Sequence, residues 1–462
     1  TDAVLWLSSP LGPAWSFTLL GSGHGQRRED VDEDDWADLA GYGRGVARPR
    51  LFWDGGGGRT FFATAGITYE DRTGGTMPES VLEATGEPYE ESLETRRFDF
   101  GSVGQTIVGG RFVLTARAAF ASARHDHRFG DTRERDRHQT GFFEVALRGT
   151  FGAHTWVAGA ALERDAYDPD DVPQFRYTFT TPGLFVQDDF DLFDWLAISA
   201  SARLDRHSEY GTFLSPRVSA LLRRGDWTAR LSAGTGFFGP TPLTEETEAA
   251  GLTRLSIVEP LSAERGASVS LDIGRADGPL SYNVTLFSSR IQDPIFVERT
   301  TEYVLRNLSG PTTHRGIDLL GTLREGPLAL TGTYTYVRSR ESDGAAAAEV
   351  ALTPRHSAGV VGMIESEEKG RIGVELYFTG RQRVEANPYR ETTEPYLVLG
   401  ILAERRFGPF RLFVNGENLT GVRQTEWDPL LRPTRNVDGR WTVDAWAPLE
   451  GIVVNAGMRV DF

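Results

Sequence analysis

Apolar and polar residues alternate one by one along repeated stretches of the chain, and this period of two predicts β-strands. The final stretch shows the alternation most clearly. Its apolar face comprises Ile452, Val454, Ala456, Met458, Val460 and Phe462, and its polar face comprises Asn455, Gly457, Arg459 and Asp461. The same alternation begins at Trp195, Trp227 and Leu280, whereas helical spacing of apolar residues is almost absent. We therefore predict an all-β chain.

Soluble sandwiches alternate as well, so the lengths of the connections decide which kind of sheet this is. Short and long connections take turns along the chain, as they do in transmembrane barrels. The short ones are residues 55–58, 109–110, 151–154, 224–226, 276–279, 324–327 and 408–409. The long polar ones are residues 24–45, 71–93, 124–138, 165–180, 236–262 and 418–450. This pattern predicts a transmembrane antiparallel β-barrel and ranks a soluble sandwich or propeller last.

The pattern accommodates about 21 strands of roughly 10 residues each. Bacterial single-chain barrels have an even number of strands, with both ends on the periplasmic side. Counted back from Phe462, the stretch at residues 3–7 runs toward the periplasm and would be a second strand. We therefore expect that residues 1–462 form one barrel of the 22-stranded class, and that its first strand and any domain before it lie outside this chain.

Composition agrees with a barrel and excludes other classes of protein. Mean hydropathy is −0.33, and no run approaches the roughly 18 apolar residues of a membrane-spanning helix. The absence of Cys excludes disulfides and thiolate metal sites, and a net charge of −16 argues against nucleic acid as a partner. Aromatic residues predict two girdles. One comprises Trp156, Trp195, Trp227 and Phe410 beside short turns, and the other Tyr69, Tyr336, Tyr377 and Phe378.

Several short blocks occur in an order that carries a resemblance. They are Phe185-Val186-Gln187-Asp188-Asp189, Arg203-Leu204-Asp205, Ser215-Pro216-Arg217-Val218, residues 234–241, residues 259–264, Asn307 with Arg315-Gly316-Ile317-Asp318, and residues 413–420. In this order they resemble the central and closing blocks of the barrel of TonB-dependent receptors, with Glu259 where many members have Asn. The blocks cover residues 185–462, and the first third of the chain resembles the family only in its rhythm of strands and loops.

The resemblance implies active uptake of a scarce ligand across the outer membrane of a Gram-negative bacterium, energised by the TonB complex. A ferric siderophore is the leading substrate class, with cobalamin or a glycan as alternatives, and a passive porin is the alternative function. The resemblance also implies a monomer surrounded by outer-membrane lipid and lipopolysaccharide, with Phe462 as the signal that the barrel assembly machinery reads. The family's plug domain and TonB box are absent from this sequence. We expect no enzyme, because no Gly-x-Ser-x-Gly nucleophile motif occurs.

Carboxylates recur at every second position in the first long connection. They are Asp30, Asp32, Asp34 and Asp38. With a backbone carbonyl from Trp36 they match the spacing of oxygen ligands in calcium loops. The match is incomplete, because Asp35 stands where a turn glycine is wanted and Gly41 where a bidentate Glu is wanted. A solvated acidic loop and a structural Ca²⁺ site are both open, and no other cofactor is expected.

Two further groups of residues suggest chemistry. His125, His127 and His138 fall in one predicted loop and suggest haem or metal binding, although a polar surface loop is the simpler interpretation. Charged residues at alternating positions predict a wet lumen with cross-strand ion pairs, or a surface that anchors a plug or guides an anionic ligand. These positions are Arg203, Arg217, Arg230, Arg411, Arg459, Asp188, Asp205, Asp318 and Asp461.

Overall fold

A computed structural model describes residues 1–82, 85–299, 303–366, 368–433 and 441–460, except for the side chains of residues 248 and 249. Asp461 and the proposed assembly signal Phe462 lie outside the described residues. Within the described ranges the chain is almost entirely β-structure. None of its helices there has both the length and the apolar character that crossing a bilayer requires.

Strands follow one another with few interruptions. They are β1 (Asp2–Pro10), β2 (Trp15–Gln26), β3 (Gly41–Asp54), β4 (Thr60–Gly75), β5 (Glu90–Val108), β6 (Phe112–Phe129), β7 (Thr132–Phe151), β8 (His154–Pro169), β9 (Tyr177–Phe193), β10 (Leu196–His207), β11 (Gly211–Arg224), β12 (Trp227–Phe238), β13 (Leu255–Ser256), β14 (Glu264–Asp277), β15 (Leu280–Gln292), β16 (Ile295–Arg299), β17 (Tyr303–Asn307), β18 (Thr312–Glu325), β19 (Leu328–Asp343), β20 (Ala346–Glu349), β21 (His356–Ser366), β22 (Gly370–Thr379), β23 (Tyr396–Phe407), β24 (Phe410–Glu417) and β25 (Val453–Val460).

Helical structure is confined to the connections. The α-helix α1 spans Glu245–Ala250, and 3₁₀ turns span Pro173–Phe175, Leu252–Arg254 and Gln424–Glu426. Thr244 caps α1 in a capping box with Thr247, which satisfies backbone N–H groups at the start of this short helix. Beside it, β13, β17 and β16 form a small separate sheet.

One antiparallel sheet of 22 strands makes up the rest. Its strands pair in chain order from β1–β2 to β24–β25, as in a meander. β20 is four residues long and pairs only with the outer part of β19, so the other 21 strands carry the meander. The prediction of an antiparallel barrel of the 22-stranded class is confirmed. Within the described ranges β1 pairs only with β2, and β25 only with β24.

The two ends of the sheet differ sharply. At the short-turn end, strands are joined by a few residues each, and three of these hairpins are Gly-Pro pairs: Gly278-Pro279, Gly326-Pro327 and Gly408-Pro409. Their glycines have φ values of 54–58°, the conformation that type II′ turns need at the first central position. At the opposite end, which we call the long-loop end, connections of up to several dozen residues fold over the sheet.

One predicted loop is wrong. Residues 124–138 are not a long connection, because β6 and β7 continue outward through them and turn at Gly130 and Asp131 alone. The structure also contains long connections at residues 293–311, 344–355 and 380–395, which the sequence analysis did not predict.

The sheet has an apolar outer face and a polar lumenal face. Leu204, Leu214 and Leu231 are among the many large apolar side chains exposed on the outer face, as expected for a surface that contacts lipid. The register places Arg203, Arg217, Arg230, Arg411, Arg459, Asp205 and Asp318 on the opposite, lumenal face, as predicted.

Two predicted orientations are wrong for the same reason. Asp188 pairs with Ala200 and Trp156 in the register, so it lies on the outer face, where its carboxylate meets His154 Nδ1 at 2.7 Å. Tyr377 pairs with Gly359 and faces the lumen, whereas its neighbour Phe378 faces outward. Adjacent residues of a strand point to opposite faces, so only one of two consecutive aromatics can belong to a girdle.

Candidate functional site

The connections at the long-loop end pack into two apolar cores. The first contains Tyr167, Val172, Phe175, Ala250, Leu252, Leu255, Val297, Tyr303 and Leu305. It draws together the connections β8–β9, β12–β14 and β15–β18, and Leu305 at its centre is fully buried. The second contains Trp36, Leu82, Tyr89, Leu430 and Trp441, from the connections β2–β3, β4–β5 and β24–β25. These loops are therefore packed against one another and are not flexible linkers.

Buried polar side chains fix the loops in place. Glu134, at the long-loop end of β7, accepts hydrogen bonds from the backbone N–H groups of Leu252 and Thr253, at 2.7 and 2.9 Å. Gln424 is fully buried and forms hydrogen bonds that join two parts of the last long connection, β24–β25. Its amide donates to the Asp444 carbonyl at 2.5 Å and accepts from the Trp446 N–H at 2.6 Å. Neither contact was predicted, because each joins residues far apart in the chain and follows no local motif.

A cavity of 320 Å³ lies where five connections meet, namely β12–β14, β15–β18, β19–β21, β22–β23 and β24–β25. Its apolar lining includes Phe296, Val350, Leu352, Val384 and Trp446. Its charged lining comprises Glu245, Glu246, Arg299, Glu341, Glu385 and Asp444. An apolar wall with a few converging polar groups is typical of small-molecule sites.

The charges of this cavity do not balance. The Asp444 carboxylate forms ion pairs with Arg432 Nη2 at 2.7 Å and Arg299 Nη1 at 3.4 Å. The Glu341 carboxylate pairs with Arg383 Nη2 at 2.6 Å. In the described part of the chain, Glu245, Glu246 and Glu385 form no ion pair. Burial raises the pKa of Glu385, although Arg383 and Arg299 oppose the rise. The lining therefore carries an excess of negative charge.

Trp446 lines the cavity with its aromatic side chain. Its indole stacks on Trp427 with ring centroids 5.4 Å apart, and the Arg390 guanidinium lies 5.0 Å from its ring. Its Nε1–H is buried and reaches no acceptor among the described residues. A buried donor without a partner costs free energy unless a ligand or water supplies an acceptor.

The acidic loop at residues 30–38 brings most of its predicted carboxylates together. One oxygen each of Asp30, Asp32 and Asp38 lie within 4.8 Å of one another, and within the described ranges no other group of three His, Cys, Asp or Glu does so. Asp34 is not in this group, and its Oδ1 accepts the Trp36 N–H at 2.9 Å. Burial raises the pKa of Asp32 and Asp38, and that of Asp34 to about 6, and the neighbouring carboxylates add to each rise.

The three histidines do not converge on a metal. His125 Nδ1 meets Asp136 at 2.9 Å and His138 Nε2 meets Asp165 at 2.6 Å, each across a pair of adjacent strands. His127 lies against Phe129 with ring centroids 3.8 Å apart. Their segment is strand and not loop, so the pattern that suggested haem or metal binding reflects cross-strand pairing.

Comparison with known proteins identifies the family. The family model described as TonB dependent receptor-like, beta-barrel, matches residues 12–419. A search of curated proteins finds no match.

Solved structures share the fold at low identity. The siderophore receptor PirA from Acinetobacter baumannii is 14% identical with a TM-score of 0.76, over 100% of this chain and 77% of that one. A mutant of the ferric enterobactin receptor PfeA from Pseudomonas aeruginosa is 14% identical with a TM-score of 0.74, over 100% and 77%. The ferric-catecholate import receptor Fiu from E. coli is 11% identical with a TM-score of 0.71, over 100% and 80%.

The family consists of transport receptors and not of enzymes, and its barrels are outer-membrane proteins of Gram-negative bacteria. The matched region runs from the first hairpin to the last long connection, so it includes almost the whole meander and the cavity-forming loops up to residue 419. This chain therefore belongs to the TonB-dependent receptor family and contains its β-barrel.

Proposed function

We propose that this protein resides in the outer membrane and takes up a ferric siderophore by active transport energised through the TonB complex. The observation that carries the proposal is the 320 Å³ cavity formed by five long connections over one mouth of the barrel. Its position at the long-loop end suits capture of a ligand from outside the cell. PfeA, PirA and Fiu are a ferric enterobactin receptor, a siderophore receptor and a ferric-catecholate import receptor, which supports the choice of substrate class.

The packing of the loops favours a gated receptor over a passive porin. A porin needs an open mouth, whereas here the two apolar cores and the Glu134 hydrogen bonds hold the connections across the long-loop end. The lumenal charges, such as the Arg48–Asp99 pair with Nη1 and Oδ2 2.7 Å apart, offer polar partners for a globular plug inside the barrel. Gating by such a plug, and its contact with TonB, are part of the proposal.

The excess of carboxylates narrows the ligand class. Two like charges about 6 Å apart in a protein-like medium repel by about 3 kcal/mol before screening by salt. Glu245, Glu246 and Glu385 therefore disfavour an anionic ferric tris-catecholate at this cavity. They favour a neutral or cationic chelate, such as a ferric trihydroxamate that carries a free amine.

Equilibrium binding to the purified protein in detergent tests this choice, with quenching of Trp fluorescence as the signal. We expect a cationic ferric trihydroxamate to bind more tightly than a ferric tris-catecholate, cobalamin or an oligosaccharide. Glu245→Gln combined with Glu246→Gln should weaken binding of the cationic chelate about 30-fold, because the two lost attractions, on the order of 1 kcal/mol each after screening, total about 2 kcal/mol.

Glu391→Gln is the matched control, because Glu391 lies on the connection β22–β23 but does not line the cavity. This substitution should leave the affinities for the cationic trihydroxamate and for the tris-catecholate unchanged. Tighter binding of the tris-catecholate by the wild-type protein would refute the assignment of ligand charge, and preferred binding of cobalamin or an oligosaccharide would replace the substrate class.

Lipopolysaccharide is the proposed lipid partner at the outer rim. Arg96, Arg124 and Arg137 lie directly opposite one another on β5, β6 and β7, all exposed on the outer face above Phe98 and Phe120. Directly opposed like charges are unfavourable, and phosphate groups above an apolar surface would relieve the repulsion. Wild-type protein should co-purify with more phosphorylated lipid than Arg124→Gln protein does, and equal amounts would reject the site.

The barrel assembly machinery is the proposed partner during biogenesis, with Phe462 as its signal. This proposal rests on the alternating final strand and its terminal aromatic residue. Phe462→Ser should lower the amount of folded protein in the outer membrane, and an unchanged amount would exclude the signal.

A further inference from the structure

The acidic loop is built so that three carboxylates meet at one point. Asp30 lies at its start, where Oδ1 accepts the Glu33 N–H at 2.7 Å and Oδ2 accepts the Asp35 N–H at 2.9 Å. Glu33 and Asp35 have φ values of 62° and 67°, so both residues adopt the left-handed conformation within the loop. Asp38 closes the turn by accepting the Val31 N–H at 2.8 Å through Oδ2.

Two oxygens of this cluster are left without a partner. Asp38 is only 8% exposed, and its Oδ1 is buried and accepts no hydrogen bond within the described ranges. Asp32 Oδ1 is buried and lacks a partner in the same way. Buried acceptors normally have partners, and three carboxylates at this separation repel one another. No Arg or Lys forms an ion pair with Asp30, Asp32 or Asp38 in the described part of the chain.

The separations fit a hard cation. Oxygens that bind one Ca²⁺ lie roughly 2.4 Å from the ion, so two such oxygens are at most about 4.8 Å apart. The carboxylates of Asp30, Asp32 and Asp38 meet this limit without any change of the backbone. Mg²⁺ usually keeps several waters and is bound by one or two carboxylates, so a cluster of three carboxylates suits Ca²⁺ better.

We propose that Asp30, Asp32 and Asp38 bind one Ca²⁺ ion, with the remaining coordination positions filled by loop carbonyl groups and water. Asp34, which the sequence included among the ligands, instead supports the turn by accepting the Trp36 N–H.

The ion would stabilise a junction of three loops. Trp36 is 2% exposed and stacks on Tyr89 with ring centroids 5.9 Å apart, within the core that also contains Leu430. Asp35 binds the next connection through its carbonyl, which accepts the Met77 N–H at 2.8 Å, and the Arg423 guanidinium reaches the Val31 carbonyl at 3.4 Å. Ca²⁺ at the acidic loop would therefore lower the mobility of part of the loop layer around the mouth.

Terbium luminescence tests the site in the purified full chain in detergent. Tb³⁺ replaces Ca²⁺ at oxygen sites, and Trp36 is placed to transfer excitation to it. We expect saturable Tb³⁺ emission on excitation of tryptophan, displaced by Ca²⁺ with a dissociation constant on the order of 10⁻⁴ to 10⁻³ M, the range of extracellular Ca²⁺ modules. Asp38→Asn and Asp32→Asn should each weaken the Ca²⁺ displacement at least tenfold.

Glu33→Gln is the matched control, since it removes the same charge from the same loop but no proposed ligand, and it should keep the wild-type affinity. Heat-dependent mobility on gels verifies that each variant still forms a barrel. If both Asn variants fail to fold, protection of the wild-type loop from protease by Ca²⁺ decides. Absence of saturable emission in the wild-type protein, equal emission in all variants, or cleavage that does not respond to Ca²⁺ would overturn the proposal.

Discussion

At the scale of single residues, Glu385 is one of the titratable carboxylates that line the cavity. Its carboxylate lies among Arg383, Arg299, Glu246 and Glu298, and burial raises its pKa above the ordinary value of a glutamate. A raised pKa means that this group takes up a proton earlier than an exposed glutamate as the pH falls. Protonation of Glu385 then removes one negative charge from the cavity.

This titration predicts a pH dependence of binding. A cation favours the ionised carboxylate, so affinity for a cationic ferric chelate should be highest above the raised pKa of Glu385 and should fall as the pH drops through it. Glu385→Gln should lower the affinity at neutral pH and remove this part of the pH dependence. Binding titrations from neutral to mildly acidic pH check the prediction, and an unchanged profile in the variant would show that Glu385 does not contact the ligand.

Residue-level predictions from the sequence succeeded where chemistry is local and failed where the register decides. Asp30, Asp32 and Asp38 do converge, because a short loop keeps carboxylates of neighbouring positions close. Asp188 was assigned to the lumen as one of the charged residues at alternating positions, but a shift of one position moves a side chain to the other face of a sheet. Glu134 and Gln424 gave no signal, since their partners are backbone groups of distant residues.

At the scale of strands, glycine and aromatic residues form recurring cross-strand pairs. They are Gly159–Phe185, Gly316–Phe287, Gly359–Tyr377 and Gly457–Phe413. In each pair the aromatic ring covers the glycine on the neighbouring strand, and a Cβ there would lie 2.4–3.0 Å from the ring. Glycine has no side chain to cover the backbone, so the ring shields it instead. This stabilises the pairing of the two strands.

Gly316→Ala tests whether this close packing matters. A Cβ at Gly316 would lie 2.3 Å from the Tyr336 carbonyl oxygen and 2.5 Å from Phe287 Cζ, so β18 and its neighbours would have to move. We expect the free energy of unfolding to fall by about 1–3 kcal/mol, the usual cost of overpacking. Urea unfolding of the protein in lipid or detergent measures the change.

Gly321→Ala is the matched control, because Gly321 lies on the same strand and a Cβ there would meet nothing within 4 Å. It should keep the wild-type stability. Equal destabilisation by both substitutions would mean that alanine is disfavoured in β18 for a reason other than contact with Phe287.

The strands themselves were largely predictable, because an apolar outer face and a polar lumen impose alternation along each one. The seven short connections predicted from sequence all lie at or next to observed hairpins. Residues 124–138 were mistaken for a loop because they are polar on both faces. There β6 and β7 extend beyond the apolar band, where water satisfies both sides and alternation disappears.

At the scale of the whole molecule, the strands form the barrel and the long connections form the cavity that we propose binds the ligand. The sequence was sufficient for the fold and the family, since both follow from patterns repeated along hundreds of residues. The cavity that we propose as the ligand site was not predictable, because it forms only where five connections pack together and none of them carries a recognisable motif. Its charge, which follows from Glu245, Glu246 and Glu385, emerges only from that packing.

Uptake of radiolabelled ferric chelates by whole cells tests the account most directly. Cells that carry the gene for this chain are compared with a deletion strain and with cells that lack TonB, across cationic, neutral and anionic chelates. We expect saturable uptake of a cationic or neutral ferric chelate that is lost in both mutant strains. Uptake that persists without TonB and rises linearly with concentration would contradict active transport and identify a passive porin.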